Sequence, residues 1–450
     1  MLIRLIVENF LSFEKRTELT LIPSKNIEAL EQHKISANDV SLLQYAVIYG
    51  ANAAGKSNLV EAFHFIKYCI IKNIPIEASY KFCKNKKANE KRNSEFEIQF
   101  TVNGRFFAYG FHILMKERKI IDEWLYELYQ GEKRPKQIFY WKQGEKPIID
   151  SRLEKTDTAR FKTYINDFDE NANVLFLNVM NWPKKFNRDK PIYIFKEVYD
   201  WFANCLTVVT PNTVLKSFEY YYDVNSISLI KNLINFFDTG ITDIKIEKTT
   251  LEAVRKEVPD FIFNDITKEI RRLTEISRLA EVKFSVRSQR NFYNFVLQAG
   301  KAPQVTTILL EHGNAYYNFK YGEESDGTRR LFELLDILLN TKEDSVYVVD
   351  EIERSLHPKL TEKFIEVFNK RHVGSKMQLV FTTHESAIMD LNLFRKDEVW
   401  FVERENDNSS KVYSLDTFKD RYDNQLRKEY LAGRYGAIPV FSSFTFKKEE

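Results

Sequence analysis

Gly50-Ala51-Asn52-Ala53-Ala54-Gly55-Lys56-Ser57 has the spacing GxxxxGK[ST], which suits phosphate chemistry. Its glycines let the backbone curl around oxyanions. The N–H groups and the helix that follows add positive potential. Lys56 would reach β and γ phosphates, and the Ser57 hydroxyl would ligate Mg2+. Gly50, Asn52, Ala53, Ala54, Gly55, Lys56, Ser57 and Asn58 form the candidate nucleotide-binding set. A chance Gly/Ala/Ser turn is the alternative. The predicted strand before the loop and helix after it argue against that.

Val346-Tyr347-Val348-Val349-Asp350-Glu351 ends four apolar residues in two acids. Beside a phosphate loop, Asp350 would support Mg2+ and Glu351 would polarise an attacking water. Without that loop, a strand ending in a solvated acidic turn is as good a reading. Ser325-Asp326-Gly327 opens a predicted helix, where a hydroxyl, N–H groups and the helix dipole can meet a γ-phosphate. A simple helix cap is the competing reading, and by itself the better one. His384 follows the Leu379–Thr382 strand, so it can contact a γ-phosphate or hold the attacking water; in isolation it reads as a loop histidine.

These residues need a sheet and helices to position them. Tyr45–Tyr49 is a wholly apolar run, and Val346–Val349 and Leu379–Thr382 are further buried-strand runs, the pattern of strands covered on both faces of a parallel sheet. Ser57 to about Ile74 has helical spacing and stops at Pro75. Leu2–Val7 with Thr17–Leu21, Phe96–Leu128 and Gln137–Ile149 read as strands and hairpins. The spacing at Ile192–Cys205, Ser226–Phe237 and Val254–Leu279 is helical. The expected fold is therefore α/β, a mostly parallel sheet with added antiparallel strands. Residues 1–130 and 311–450 are expected to make the two halves of one nucleotide-binding head, and 131–310 an inserted, mostly helical lobe with some strands, Val305–Leu310 among them.

Composition narrows the classes further. With 67 basic and 64 acidic side chains, bulk charge does not drive nucleic-acid coating. The 44% hydrophobic share, 36 Phe and 23 Tyr supply a sizeable core. Three cysteines without a CxxC pair argue against a disulfide framework or zinc cluster, and fit a reducing cytoplasm. There is no apolar run of membrane-spanning length. The basic stretch Lys81–Arg92 is either a solvated loop, the favoured reading, or a surface for DNA or RNA phosphates.

The order of phosphate loop, long insertion, Ser325–Gly327, Asp350-Glu351 and His384 resembles the ABC-type ATPases, in the soluble branch that includes SMC and DNA-repair ATPases. It is similar, more closely, to the RloA-like AAA-domain ATPases of bacterial abortive infection and phage defence. The stretches carrying this are IVENFLSF, YGANAAGKSNL, FFDTGITDIKI, EESDGTRRLFELL, VVDEIERSLHP, FTTHESAIMDLNLFRKDEVWFVE and YLAGRYGAIP. Ser325–Gly327 departs from Leu-Ser-Gly-Gly-Gln, with Asp326 at the first Gly, and Glu385 follows the histidine where Ser or Asn is commoner.

The resemblance implies two heads sandwiching two ATP molecules, as a homodimer or a higher homo-oligomer. Ser325, Asp326 and Gly327 of one head then face the other's phosphate loop. Glu351 is the catalytic base, Asp350 and Ser57 support Mg2+, and His384 is the switch. Ser355–His357 signals between sites, and Gln99 is the nearest candidate for the glutamine that touches Mg2+. The stretch between Ser57 and Ser325 lacks the heptads of an SMC arm. No Asp-x-Asp pair follows His384, so a Toprim-type nuclease is expected as a separate effector chain. The rival reading is a DNA-repair or chromosome-maintenance ATPase that clamps DNA. A degenerate, ATP-independent scaffold is disfavoured by intact Lys56, Ser57, Asp350 and Glu351.

Overall fold

A computed structural model describes the chain except residues 39, 130–133, 157, 169–172, 182–187, 211–214, 217–223, 277–280, 288–289, 419–425 and 440–450. The described residues form an α/β fold of two compact units. One comprises Met1–Val208, Lys342–Ile352 and His372–Glu450; the other comprises Val209–Thr341 and Glu353–Arg371.

In the first unit the three apolar runs lie side by side. The sheet order is Leu206–Val209, Val346–Val349, Gln378–Thr383, Tyr45–Gly50, Val399–Arg404 and Ser410–Ser414. Val346–Val349 pairs parallel with Gln378–Thr383, which pairs parallel with Tyr45–Gly50, which pairs parallel with Val399–Arg404. Ser410–Ser414 closes the edge as an antiparallel hairpin. Every residue of Tyr45–Gly50, Val346–Val349 and Gln378–Thr383 is buried, as expected of strands covered on both faces. Parallel strands leave their carboxyl ends together, so Gly50, Asp350 and His384 emerge at one edge of the sheet.

A seven-stranded antiparallel sheet completes this unit. Its members are Leu2–Glu8, Thr17–Thr20, Ser94–Val102, Arg105–Leu114, Lys119–Leu128, Lys136–Lys142 and Ile148–Ile149. Helix Lys56–Ile71 buries Leu59, Phe63, Ile66 and Ile70 in a core shared with both sheets. Gln378 ties the sheets together. Its side chain accepts from Leu2 N at 2.6 Å and donates to Leu2 O and Leu43 O, each at 2.9 Å.

The sequence pattern changes at 130 and 310, whereas the compact units divide elsewhere. Residues up to 208 stay with the first unit because Phe139, Trp141, Phe161, Phe195, Trp201 and Phe202 join its core. In the second unit the helical spacing holds at Val224–Phe236 and Asp326–Leu339. Val254–Leu279 divides at Pro259 into Leu251–Glu257 and Asp260–Ile276. This lobe, expected to be mostly helical with some strands, carries both helices and strands. Strands Asp243–Thr249, Val282–Arg287, Phe292–Leu297 and Gln304–Glu311 build an antiparallel sheet with Leu215–Lys216. These strands earn their burial by pairing across loops, a long-range contact that local helical spacing does not report.

Candidate functional site

The phosphate loop bends through two left-handed residues, Ala53 at φ 60° and Gly55 at φ 113°, before helix Lys56–Ile71 starts. Gly55 is required there by space as well as by φ. An added Cβ would lie 2.3 Å from Ser410 Oγ and 2.6 Å from Ser12 Oγ. Gly50 is required too, since a Cβ would lie 2.4 Å from Val402 O in the neighbouring strand.

Lys56 is 5% exposed, and the loop curls around its ammonium. Nζ donates to Gly50 O at 2.8 Å and to Ala51 O at 3.0 Å, and lies 3.3 Å from His384 Nδ1. The cation is thus held at the mouth of the loop, with the histidine of the adjoining strand against it.

Ser57 Oγ donates to Asp350 Oδ1 at 3.3 Å. Thr382 Oγ1 donates to the same oxygen at 2.6 Å and accepts from Glu351 N at 2.8 Å. One hydroxyl therefore fixes both acids. It aims the Asp350 carboxylate at Ser57 and holds the Glu351 backbone at φ 47°, a left-handed conformation costly for a residue with a Cβ. A hydroxyl and a carboxylate oxygen converging at the helix start are hard donors, and they suit Mg2+ better than a soft metal. Among the described residues no group of three or more His, Cys, Asp or Glu could hold a metal. This pair fits an ion whose remaining ligands come from substrate phosphates and water.

Asn52, Ala53, Gly55, Lys56, Ser57, Asn58, Glu351 and His384 line one open cavity of about 430 Å3. Gly50 and Ala54 of the candidate set do not line it. Gly50 contributes its carbonyl to Lys56, and Ala54 is buried with its carbonyl accepting from Ser410 Oγ at 2.6 Å. Asn58 Nδ2 donates to Ser12 Oγ at 2.7 Å. Gln99 is not a lining residue. It sits within strand Ser94–Val102, and its amide donates to Glu97 Oε1 at 2.8 Å.

Ser325, Asp326 and Gly327 belong to the second unit. Ser325 caps helix Asp326–Leu339 by accepting from Thr328 N at 3.1 Å, the capping expected of a serine there. Asp326 is paired with Arg329. Gly327 admits Ser355 closely: a Cβ on it would lie 2.7 Å from Ser355 O. A cavity of about 120 Å3 beside them is lined by Asp326, Arg329, Arg330, Glu333, Arg354 and Ser355. The cap and the Ser355–His357 turn are thus one packed feature.

Thr382, Ser12 and Ser410 escaped the sequence reading. Thr382 sits in the apolar run Leu379–Thr382, and a hydroxyl at the end of such a run, two residues before His384, was the signal available. Nothing local marks Ser12 or Ser410. In the basic stretch Lys81–Arg92, three of the six basic residues are paired: Lys81 with Glu61, Lys86 with Glu14 at 2.7 Å, and Arg92 with Glu8. Asn9 holds it down, with Nδ2 donating to Asn89 O at 2.9 Å and Arg92 O at 3.0 Å.

Residues 190–390 match the family described as "AAA domain, putative AbiEii toxin, Type IV TA system". A search of curated proteins gives no match. Among solved structures, the chain is similar to an SMC head bound to the C-terminal winged-helix domain of ScpA, at 12% identity and a TM-score of 0.40, covering 92% of this chain and 97% of that one. It is also similar to the SMC head domain from Thermotoga maritima, at 14% identity and a TM-score of 0.33, covering 92% of this chain and 98% of that one.

Proposed function

We propose that the chain is a Mg2+-dependent ATPase of the ABC/SMC kind, which binds ATP and hydrolyses it slowly at a head–head dimer interface. The observation that carries this reading is the cavity in which Lys56, Ser57, Glu351 and His384 converge on one loop. Lys56 and the loop N–H groups bind β and γ phosphates. Asp350 and Ser57 hold Mg2+, which supplies charge neutralisation when bound. Glu351 takes the proton of the attacking water, and His384, beside Lys56, senses the γ-phosphate. Ser325–Gly327 of a second copy completes the site, with Asp326 in the turn.

The biological role that fits is a sensor and scaffold of an anti-phage defence system. ATP binding would tip an assembly between two states that hold or release a separate effector, such as a Toprim-type nuclease. The match of residues 190–390 supports this branch. Among the described residues no helix is long and apolar enough to cross a membrane.

The test is the ATP turnover rate with and without duplex DNA, with Glu351→Gln as the blank. A slow rate that DNA leaves unchanged supports the sensor reading. A rate that rises several-fold with DNA supports a clamp on DNA instead. No turnover above the blank refutes the ATPase.

A further inference from the structure

We propose that Ser410, seated by Ser12, is a positioning residue that sets the direction of the phosphate-loop N–H groups; this rests on the phosphate-binding reading above. The peptide between Ala54 and Gly55 carries the point. Ser410 Oγ donates to Ala54 O at 2.6 Å, so that carbonyl is turned toward the hairpin formed by Val399–Arg404 and Ser410–Ser414. In a trans peptide the C=O and N–H point opposite ways, so the Gly55 N–H is turned away from Ser410. Gly55 lines the cavity. Capture of the carbonyl on one side therefore presents an N–H donor on the other, before any ligand arrives.

Ser410 is itself fixed. Its N–H donates to Ser12 O at 2.7 Å, and Ser12 Oγ accepts from Asn58 Nδ2 at 2.7 Å on the first turn of the helix. Lys15 and Glu405 join the same two segments at 3.0 Å. The glycine at position 55 is what lets both serines reach the loop. A loop with Ala53 and Gly55 in left-handed conformations has other shapes open to it, and this bracket selects one. The serine of IVENFLSF and the hairpin turn thus act on phosphate binding without touching phosphate.

The test compares the parent with Ser410→Ala, using ATP, ADP and inorganic tripolyphosphate as probes, by titration calorimetry, steady-state kinetics and ligand-free thermal unfolding. The ligand-free midpoint should move by no more than about 2 °C. Dissociation constants for all three probes should rise together, roughly tenfold, the scale of one hydrogen bond to an anion. KM should rise with kcat little changed, as when ground state and transition state lose the same contact.

A parent that binds the probes and a variant that binds them as tightly overturn the proposal. A parent that binds none of them overturns the phosphate-binding reading, and this inference with it. Should Ser410→Ala fail to fold, the isosteric pair Ser410→Thr and Ser410→Val decides. Tight binding by Thr and weak binding by Val support the bracket, and equal binding by both overturns it.

Discussion

Thr382→Val isolates one hydroxyl at the centre of the site. The side chain is fully buried, and valine keeps its shape. Two bonds are lost, one to the Asp350 carboxylate at 2.6 Å and one from Glu351 N at 2.8 Å. A bond to a charged group contributes about 1.5–3 kcal/mol, and a stranded buried N–H costs about 1–3 kcal/mol. The left-handed backbone of Glu351 already costs about 1–2 kcal/mol, which the lost bond no longer opposes. Relaxation of Glu351 returns part of the loss, leaving about 2–3 kcal/mol of destabilisation. The catalytic consequence is larger. A base displaced by an ångström loses on the order of 100-fold in rate, so kcat should fall about 10- to 100-fold. Affinity for ATP without Mg2+ should change by less than about threefold, because Lys56 and the loop carbonyls keep their partners. Steady-state turnover and a fluorescent-nucleotide titration measure the two. A folded Thr382→Val protein with kcat within about twofold of the parent would refute the claim that this hydroxyl holds the base.

Lys56→Ala should weaken ATP binding at least about 100-fold, since it removes a buried ammonium aimed at the phosphate site; the same titration checks it. Glu351→Gln should keep ATP binding, lose about 100- to 10,000-fold in turnover, and run as a dimer with ATP in size exclusion. A variant that stays monomeric with ATP would count against the head–head interface. Arg395→Met should cost about 3–5 kcal/mol in chemical denaturation, because it strands Asp397, bound by Arg395 Nε and Nη2 at 2.9 and 3.0 Å inside the protein. Glu123 is fully buried, and desolvation pushes its carboxyl up to about 7, above its ordinary 4.5. The stability it contributes is full below about pH 4.5 and is lost as pH rises through about 7, a difference of about 3 kcal/mol. Stability of the parent minus that of Glu123→Gln should therefore fall across this window, and a flat difference would reject the shift.

What was legible in the sequence was short-range. The loop at Gly50–Ser57, the strand before it and the helix after it are contiguous, and each announces itself by residue type. Asp350 and His384 could be placed because each follows a run of apolar residues, Val346–Val349 and Leu379–Phe381. The signal failed where pairing is distant. Val282–Arg287 and Phe292–Leu297 are given no element in the sequence reading, although the first alternates apolar and polar residues; their pairing with each other makes them a sheet. Several phrases of the late sequence gain a physical cause only in three dimensions. In RKDEV, Arg395 accounts for Asp397 and also donates to Ile27 O at 3.0 Å. Glu398 meets His33 Nδ1 at 2.9 Å, so the phrase is a staple for residues 24–33. In YLAGRYGAIP, Tyr430 and Tyr435 stack on Phe401 at centroid distances of 5.7 and 5.9 Å. A Cβ on Gly436 would lie 2.6 Å from Glu403 Oε1.

The same distances bear on how the site comes into being. The loop at residues 50–57 carries little of its own geometry. Ala54 is turned by Ser410, Asn58 is tied to Ser12, Lys56 meets His384, and Ser57 meets an Asp350 that Thr382 aims. Three of these five bonds join residues about 290 to 360 positions apart in the chain. Closing loops of that length is entropically costly and is repaid only when the parallel sheet forms. Gly50, with Val402 O packed against its Cα, and the two serines at Gly55 leave the finished loop almost no alternative shape. The phosphate site should thus appear late in folding and as a unit. An N-terminal fragment carrying the complete GxxxxGK[ST] spacing but lacking residues after 340 should therefore show no measurable ATP binding. Measurable binding by that fragment would show that the motif alone suffices and would refute this dependence on the assembled sheet.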